Sequence, residues 1–256
     1  MLKISLLGLF FGTIGTTIGG LIGTFSKRSS NKFLSFVLSF ASGLMLAVVS
    51  FSLIPEALEI SSIYMSLLGM IIGIIAMIIC DILVDKKFNS NSYNKKQRTA
   101  KTDIDNSKKL SLLKTGIIVS VGLAIHNIPE GLAIGSGFDA STTLGFSLAI
   151  AICLHDIPEG ISMAIPMKNG GMNATKVMLY VILSGIATGL GALIGALVGN
   201  ISTNVIAICL AFAAGAMLYI VSGELIPEYN SLYHGRMSAL GNMAGFIIGL
   251  FAMIIS

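Results

Sequence analysis

Residues 112–136 read LLKTGIIVSVGLAIHNIPEGLAIGS, and residues 142–165 read TTLGFSLAIAICLHDIPEGISMAI. Each stretch is long enough to cross a bilayer, for which about 20 mostly apolar residues suffice. Each also carries one six-residue pattern near its centre: His126-Asn127-Ile128-Pro129-Glu130-Gly131 in the first, His155-Asp156-Ile157-Pro158-Glu159-Gly160 in the second. Six more apolar runs flank them, at roughly 4–25, 33–55, 63–84, 175–199, 203–226 and 237–255. They are too long and too uniformly apolar for the alternating strands of an outer-membrane barrel. The predicted fold is therefore all-α: eight transmembrane helices in one domain spanning residues 1–256.

Composition points the same way. The chain is 54% hydrophobic and 11% charged, whereas a soluble domain carries roughly 25% charged residues to cover its surface. Lipid must be the solvent for much of it. The first run holds one Lys and is closed by no A-x-A-like site, so it reads as a spanning helix rather than a signal peptide. Most of the 29 glycines lie within the spans, as at Gly185, Gly189, Gly191, Gly195 and Gly199; they read as packing seams, where small residues let helices approach closely. Such faces permit a homodimer. Cys80, Cys153 and Cys209 lie in separate runs without CxxC spacing and read as small core residues, neither disulfides nor ligands.

The basic residues set an orientation. Of 16 Lys and Arg, 15 fall in the links after spans one, three, five and seven or at their edges, and the links after spans two, four and six hold none. Under the positive-inside rule the basic side is cytoplasmic and both termini lie outside, as expected for a multi-pass protein of the cell membrane. Residues 86–110 form the one long polar segment, rich in Lys, Asn and Ser. They read as a flexible cytoplasmic loop, with no role in nucleic-acid binding.

Two further segments align without gaps: residues 41–56 (ASGLMLAVVSFSLIPE) and 213–228 (AAGAMLYIVSGELIPE), identical at ten of sixteen positions. On the alternating topology these copies run in opposite directions, as do spans four and five. This predicts an inverted repeat, with spans one to three mirrored by six to eight around a central pair. Transporters use such symmetry to offer one site alternately to each side of a membrane.

Ionisable side chains inside spans are costly and usually mark function. His126 and Glu130 are four residues apart, and Asn127 and Glu130 three, so all three share one side of a helix. His155, Asp156 and Glu159 repeat that spacing. Two facing helices would thus offer imidazoles, carboxylates and an amide. Imidazole with carboxylate suits zinc and its first-row neighbours, whereas magnesium and calcium prefer all-oxygen sets. Pro129 and Pro158 lack an N–H and so free the carbonyls of Ile125 and Leu154 beside the cluster.

These residues resemble the ZIP (Zrt/Irt-like) family of divalent metal transporters, in its bacterial zinc-uptake and GufA-like branch. The resemblance covers essentially the whole chain: eight spans, a variable link after the third, and HNxPEG followed by a related motif in the fifth. It implies uptake of a divalent metal ion toward the cytoplasm, with no enzymatic activity and no prosthetic group. The cargo would be Zn2+ first, with Fe2+, Mn2+, Co2+ or Cd2+ also compatible. It further implies two adjoining sites, one of His126, Glu130 and Glu159 and the other of Asn127, Glu130, Asp156 and Glu159. Met45 matches a methionine that joins the first site, and His155 stands where family members vary. Glu224 looks like an acidic residue near the outer entry. Glu56 and Glu228 are candidate entrance or exit residues, and His234 reads as a solvated loop residue. One departure is notable. Relatives often carry a Glu in span six within Ser-Gly-x-x-Glu-Pro, where this chain has Ser184-Gly185-Ile186-Ala187-Thr188, which should weaken the second site. The alternatives are a membrane-embedded metalloenzyme and a proton-coupled carrier of an organic solute. The chain has neither a His-Glu-x-x-His helix nor a His-rich box, features the enzyme would need.

Overall fold

The computed structural model describes residues 2–26, 30–93, 104–199 and 201–255. Among them lie eight long helices and no strand: α1 (Leu2–Phe25), α2 (Asn31–Ile60), α3 (Ile63–Tyr93), α4 (Ile104–Ala140), α5 (Thr142–Asn169), α6 (Ala174–Gly199), α7 (Thr203–Leu232) and α8 (Arg236–Ile255). All eight contain a window long and apolar enough to span a bilayer, because only internally bonded backbone is tolerated in lipid. Short links are closed by serine caps. Ser30, Ser141 and Ser202 each accept the backbone N–H three residues on, starting α2, α5 and α7.

The link between α3 and α4 differs from the expected loop. Residues 94–103 lie outside the described residues, but helix continues through Tyr93 on one side and resumes at Ile104 on the other. Residues 74–115 contain no Gly or Pro, so nothing in the backbone chemistry stops either helix where the apolar run ends.

α2 and α7 share an irregularity. Each widens through a five-residue π turn, Val49–Leu53 in α2 and Val221–Leu225 in α7, just before Ile54-Pro55 and Ile226-Pro227. A proline removes one N–H from the ladder, and a π turn is one way to absorb that loss. Both turns fall at the same register of the sixteen-residue sequence repeat.

The helices pack in reciprocal pairs. α4 lies along α6 and α5 along α1, while α2 lies along α8 and α7 along α3. α4 and α5 pack side by side, α5 is the most enclosed span, and α3 and α8 are the least. The final glycines of the two motifs set the first two pairs. A Cβ on Gly131 would overlap the Thr188 carbonyl of α6, and one on Gly160 would overlap the Thr16 carbonyl of α1. Those in α6 named above are likewise seams: Gly189 meets Leu9, Gly191 the Ile128 carbonyl and Gly195 the Leu132 carbonyl.

Gly131→Ala and Gly160→Ala should therefore each cost about 1–3 kcal/mol through overpacking and lower Tm in detergent. Gly122→Ala, whose Cβ would meet nothing within 4 Å, should leave Tm unchanged. Equal Tm values for all three variants would contradict the seam assignment.

Candidate metal site

α4 and α5 bring their motifs together at the enclosed centre of the bundle. His126, Asn127, Glu130, His155, Asp156 and Glu159 are all buried, with Glu130, His155, Asp156 and Glu159 at 0% exposure. Ligand atoms of Glu130, His155 and Glu159 all lie within 4.8 Å of one another. That spacing lets one ion reach three donors.

The polar atoms here are conspicuously unpartnered. Among the described residues, the buried side-chain N and O atoms without a hydrogen-bond partner are Asn127 Oδ1, Glu130 Oε2, His155 Nδ1, both oxygens of Asp156, both of Glu159, Thr188 Oγ1, and Asp139 Oδ2 at the far end of α4. Buried polar groups are normally paired, and a buried carboxylate without compensation costs several kcal/mol. Buried acceptors concentrated at one point are the donor set a cation could use.

Neighbours aim the donors. The Asn127 Nδ2 group donates to the Ser184 carbonyl at 2.9 Å and to Ser184 Oγ at 3.3 Å. Both amide hydrogens are thus used on α6, and Oδ1 is left to face the site. His155 Nε2 lies 2.9 Å from Glu130 Oε1. His155 Nδ1 has no hydrogen-bond partner, so the Glu130 contact is what orients the ring. Second contacts of this kind fix which nitrogen or oxygen a ligand presents.

The two histidines are placed differently. His155 joins Glu130 and Glu159, whereas His126 is outside that group. Its Nδ1 bonds the Gly122 carbonyl at 2.8 Å, one turn back, and its Nε2 points to Glu224 Oε2 at 3.6 Å. His126 thereby lines a cleft of about 160 Å³ with Met77, Cys80 and Asp81 of α3, Ser162 of α5, and Glu224 and Glu228 of α7. Asp81 is held by Tyr219, whose hydroxyl donates to Oδ2 at 2.7 Å. Cys80 lines this cleft instead of the core.

The cleft lies toward the links after α3, α5 and α7, which carry the basic residues. Glu224 is therefore at the basic end. With the basic side cytoplasmic, as the charge pattern leads one to expect, an outer-entry role for Glu224 is not compatible with this placement. Glu56 lies at the opposite end of the bundle, at the close of α2. Met45 is fully buried in the apolar cluster with Leu44, Val48, Leu148 and Ile152. Thr188 is fully buried against Gly12 of α1, and Asp156 lies against Gly15. His234 is exposed between α7 and α8.

Asp81 and Ser184 are the functional candidates that the sequence reading passed over. An acidic residue inside the third span was the available signal for Asp81; nothing in sequence marked Ser184.

Glu159→Gln should weaken zinc binding tenfold or more, which is ~1.4 kcal/mol, while leaving the metal-free protein at least as stable, because one uncompensated charge is removed. Calorimetry with and without zinc checks both halves.

Comparison with known proteins adds an independent finding. A family model described as "ZIP Zinc transporter" matches residues 81–256. The chain is 30% identical over 252 residues to "Zinc transporter ZupT" of Akkermansia muciniphila, covering 94% of this chain and 93% of the relative. It is 30% identical over 255 residues to the protein of the same description in Chlorobium chlorochromatii, with 96% and 94% covered. Against "Zinc transporter GufA" of Myxococcus xanthus it is 36% identical over 137 residues, about half of each chain (53% and 54%).

Proposed function

This chain belongs to the ZIP family of zinc transporters, a family of multi-pass membrane transporters and not of enzymes, and from that premise we propose that it carries zinc into the cytoplasm through the Glu130–His155–Glu159 cluster. The observation that carries the reading is the set of buried, unpartnered oxygen and nitrogen atoms shared by α4 and α5. A divalent cation offsets most of the charge of the enclosed carboxylates, and mixed imidazole–carboxylate donors favour zinc, iron, manganese, cobalt or cadmium over magnesium and calcium. Without a thiolate the site releases what it binds, as transport requires.

In this reading the ion exchanges water for Glu130, His155 and Glu159 at the centre. His126 sits one turn along α4, with Nδ1 tied to Gly122. Its Nε2 takes the ion next and passes it to Glu224, Glu228 and Asp81 in the cleft toward the basic end. A second ion would use Asn127, Glu130, Asp156 and Glu159, bridged by the two glutamates. With Thr188 in place of an acidic residue, that second position binds the more weakly. Met45, buried in the neighbouring apolar cluster, would be a further soft donor to the first position.

The inverted repeat supports alternating access. Exchanging α1–α3 with α6–α8, and α4 with α5, maps the α1–α5 pair onto α6–α4 and the α2–α8 pair onto α7–α3. The matching π turns of α2 and α7 obey the same exchange. One helix group rocking against another would then open the centre to each side in turn, with both termini outside.

Radioactive zinc uptake into proteoliposomes of the pure protein tests the proposal. His126→Ala and Glu130→Ala should each abolish uptake at normal protein recovery. Glu224→Gln should lower the maximal rate more than the apparent affinity, since it acts after capture. Normal uptake in the first two variants would sink the site assignment, and uptake of an organic solute with no response to zinc would favour the proton-coupled carrier.

A further inference from the structure

A second cavity, of about 330 Å³, opens sideways between α2, α5 and α8 and has no polar role in the pathway. Its walls include Phe36, Phe40 and Leu44 of α2 and Ile157, Pro158 and Ile161 of α5. Pro158 belongs to the second motif, so the groove lies along the same helix segment that presents His155 and Glu159 to the metal. Water gains nothing from such walls. In a bilayer the available filler is hydrocarbon, which recovers the dispersion contacts an empty groove forfeits.

One end of the bundle brings positive charge to the helices that line the groove. Lys32, Phe36, Phe40 and Leu44 are spaced four apart and share one face of α2. Lys32 is exposed at the start of α2, Lys168 is exposed near the end of α5, and Arg236 is exposed at the start of α8. All three helices that line the groove therefore bring a cation to the same end of the bundle. Lys32 Nζ lies 5.8 Å from the centre of the Tyr233 ring, just ahead of the start of α8. Clustered cations beside an apolar slot match a lipid with a negative headgroup and a long acyl chain.

We propose that this groove is a phospholipid site, with an acyl chain along Phe36, Phe40 and Leu44 and an anionic phosphodiester headgroup among Lys32, Lys168 and Arg236. A chain seated there backs the kinked segment of α5 at Pro158, so membrane lipid composition bears directly on the helix that holds the metal ligands. The proposal does not depend on which ion is carried.

The protein contains no Trp, so a single introduced Trp reports its own surroundings. Ile248→Trp places the reporter at the α8 wall of the groove. Ile75→Trp, at a position 49% exposed on α3, places it on the ordinary lipid-facing surface. Acyl-brominated phosphatidylglycerol is titrated into phosphatidylcholine vesicles holding each variant. The groove Trp should be half-quenched at a mole fraction at least about fivefold lower than the α3 Trp, the preference that even one of the three cations confers. Replacing Lys32, Lys168 and Arg236 together by Glu should erase that difference. Brominated phosphatidylcholine should quench both positions alike. Identical phosphatidylglycerol curves at the two positions would overturn the site, and equal enrichment of both lipids at the groove would overturn the headgroup assignment. Native mass spectrometry of the unmodified protein, purified in mild detergent, provides a check independent of any substitution. One retained phosphatidylglycerol per chain supports the proposal, and a chain with no bound phospholipid refutes it.

Discussion

A carboxylate withdrawn from water must be neutralised, and three of them meet at the centre of this bundle. Glu130, Asp156 and Glu159 have no exposed surface and keep most of their oxygens unpartnered. In a low-dielectric interior that arrangement is sustained by a cation or by protons, not by the rest of the protein. The helices around it are organised to keep water out while leaving those lone pairs free. Gly131 and Gly160 let α6 and α1 close directly over the motifs, and Ser184 occupies the Asn127 amide hydrogens so that its oxygen stays with the carboxylates.

Near-identical motifs do different work because their surroundings differ. His155 is enclosed and pairs with Glu130, whereas His126, at the same motif position, faces a cleft and Glu224. The repeat explains why this was hard to foresee. Sequence spacing places His126 and Glu130 on one side of α4, but it does not say which neighbouring helix stands in front of either. Glu224 replaces Ser52 of the matching segment, and Tyr219 replaces Ala47. These two exchanges place an acidic residue in the cleft and tether Asp81, so the two matching segments have chemically unlike surroundings.

Much of the fold was legible in advance because lipid imposes simple rules. Eight apolar runs gave eight helices, the α6 glycines lie at helix seams, and the two motifs lie side by side on α4 and α5, with His126 turned to the cleft. The polar link was harder to read, since Lys, Asn and Ser allow helix as readily as loop when no Gly or Pro intervenes. Asp81 and Ser184 escaped notice because each acts through a partner distant in sequence, Tyr219 in one case and Asn127 in the other.

The sequence by itself determined the solvent, the number of spans, the grouping of the basic links at one end of the bundle and the identity of the buried polar residues, because hydropathy, charge and motif spacing are local properties of a chain. The tertiary structure alone decided which donors stand within reach of one another, which histidine faces the cleft, where Glu224 lies and which helices leave an apolar groove. Those depend on contacts between helices separated by tens to hundreds of residues, and a few ångströms of close approach at glycine seams determine them.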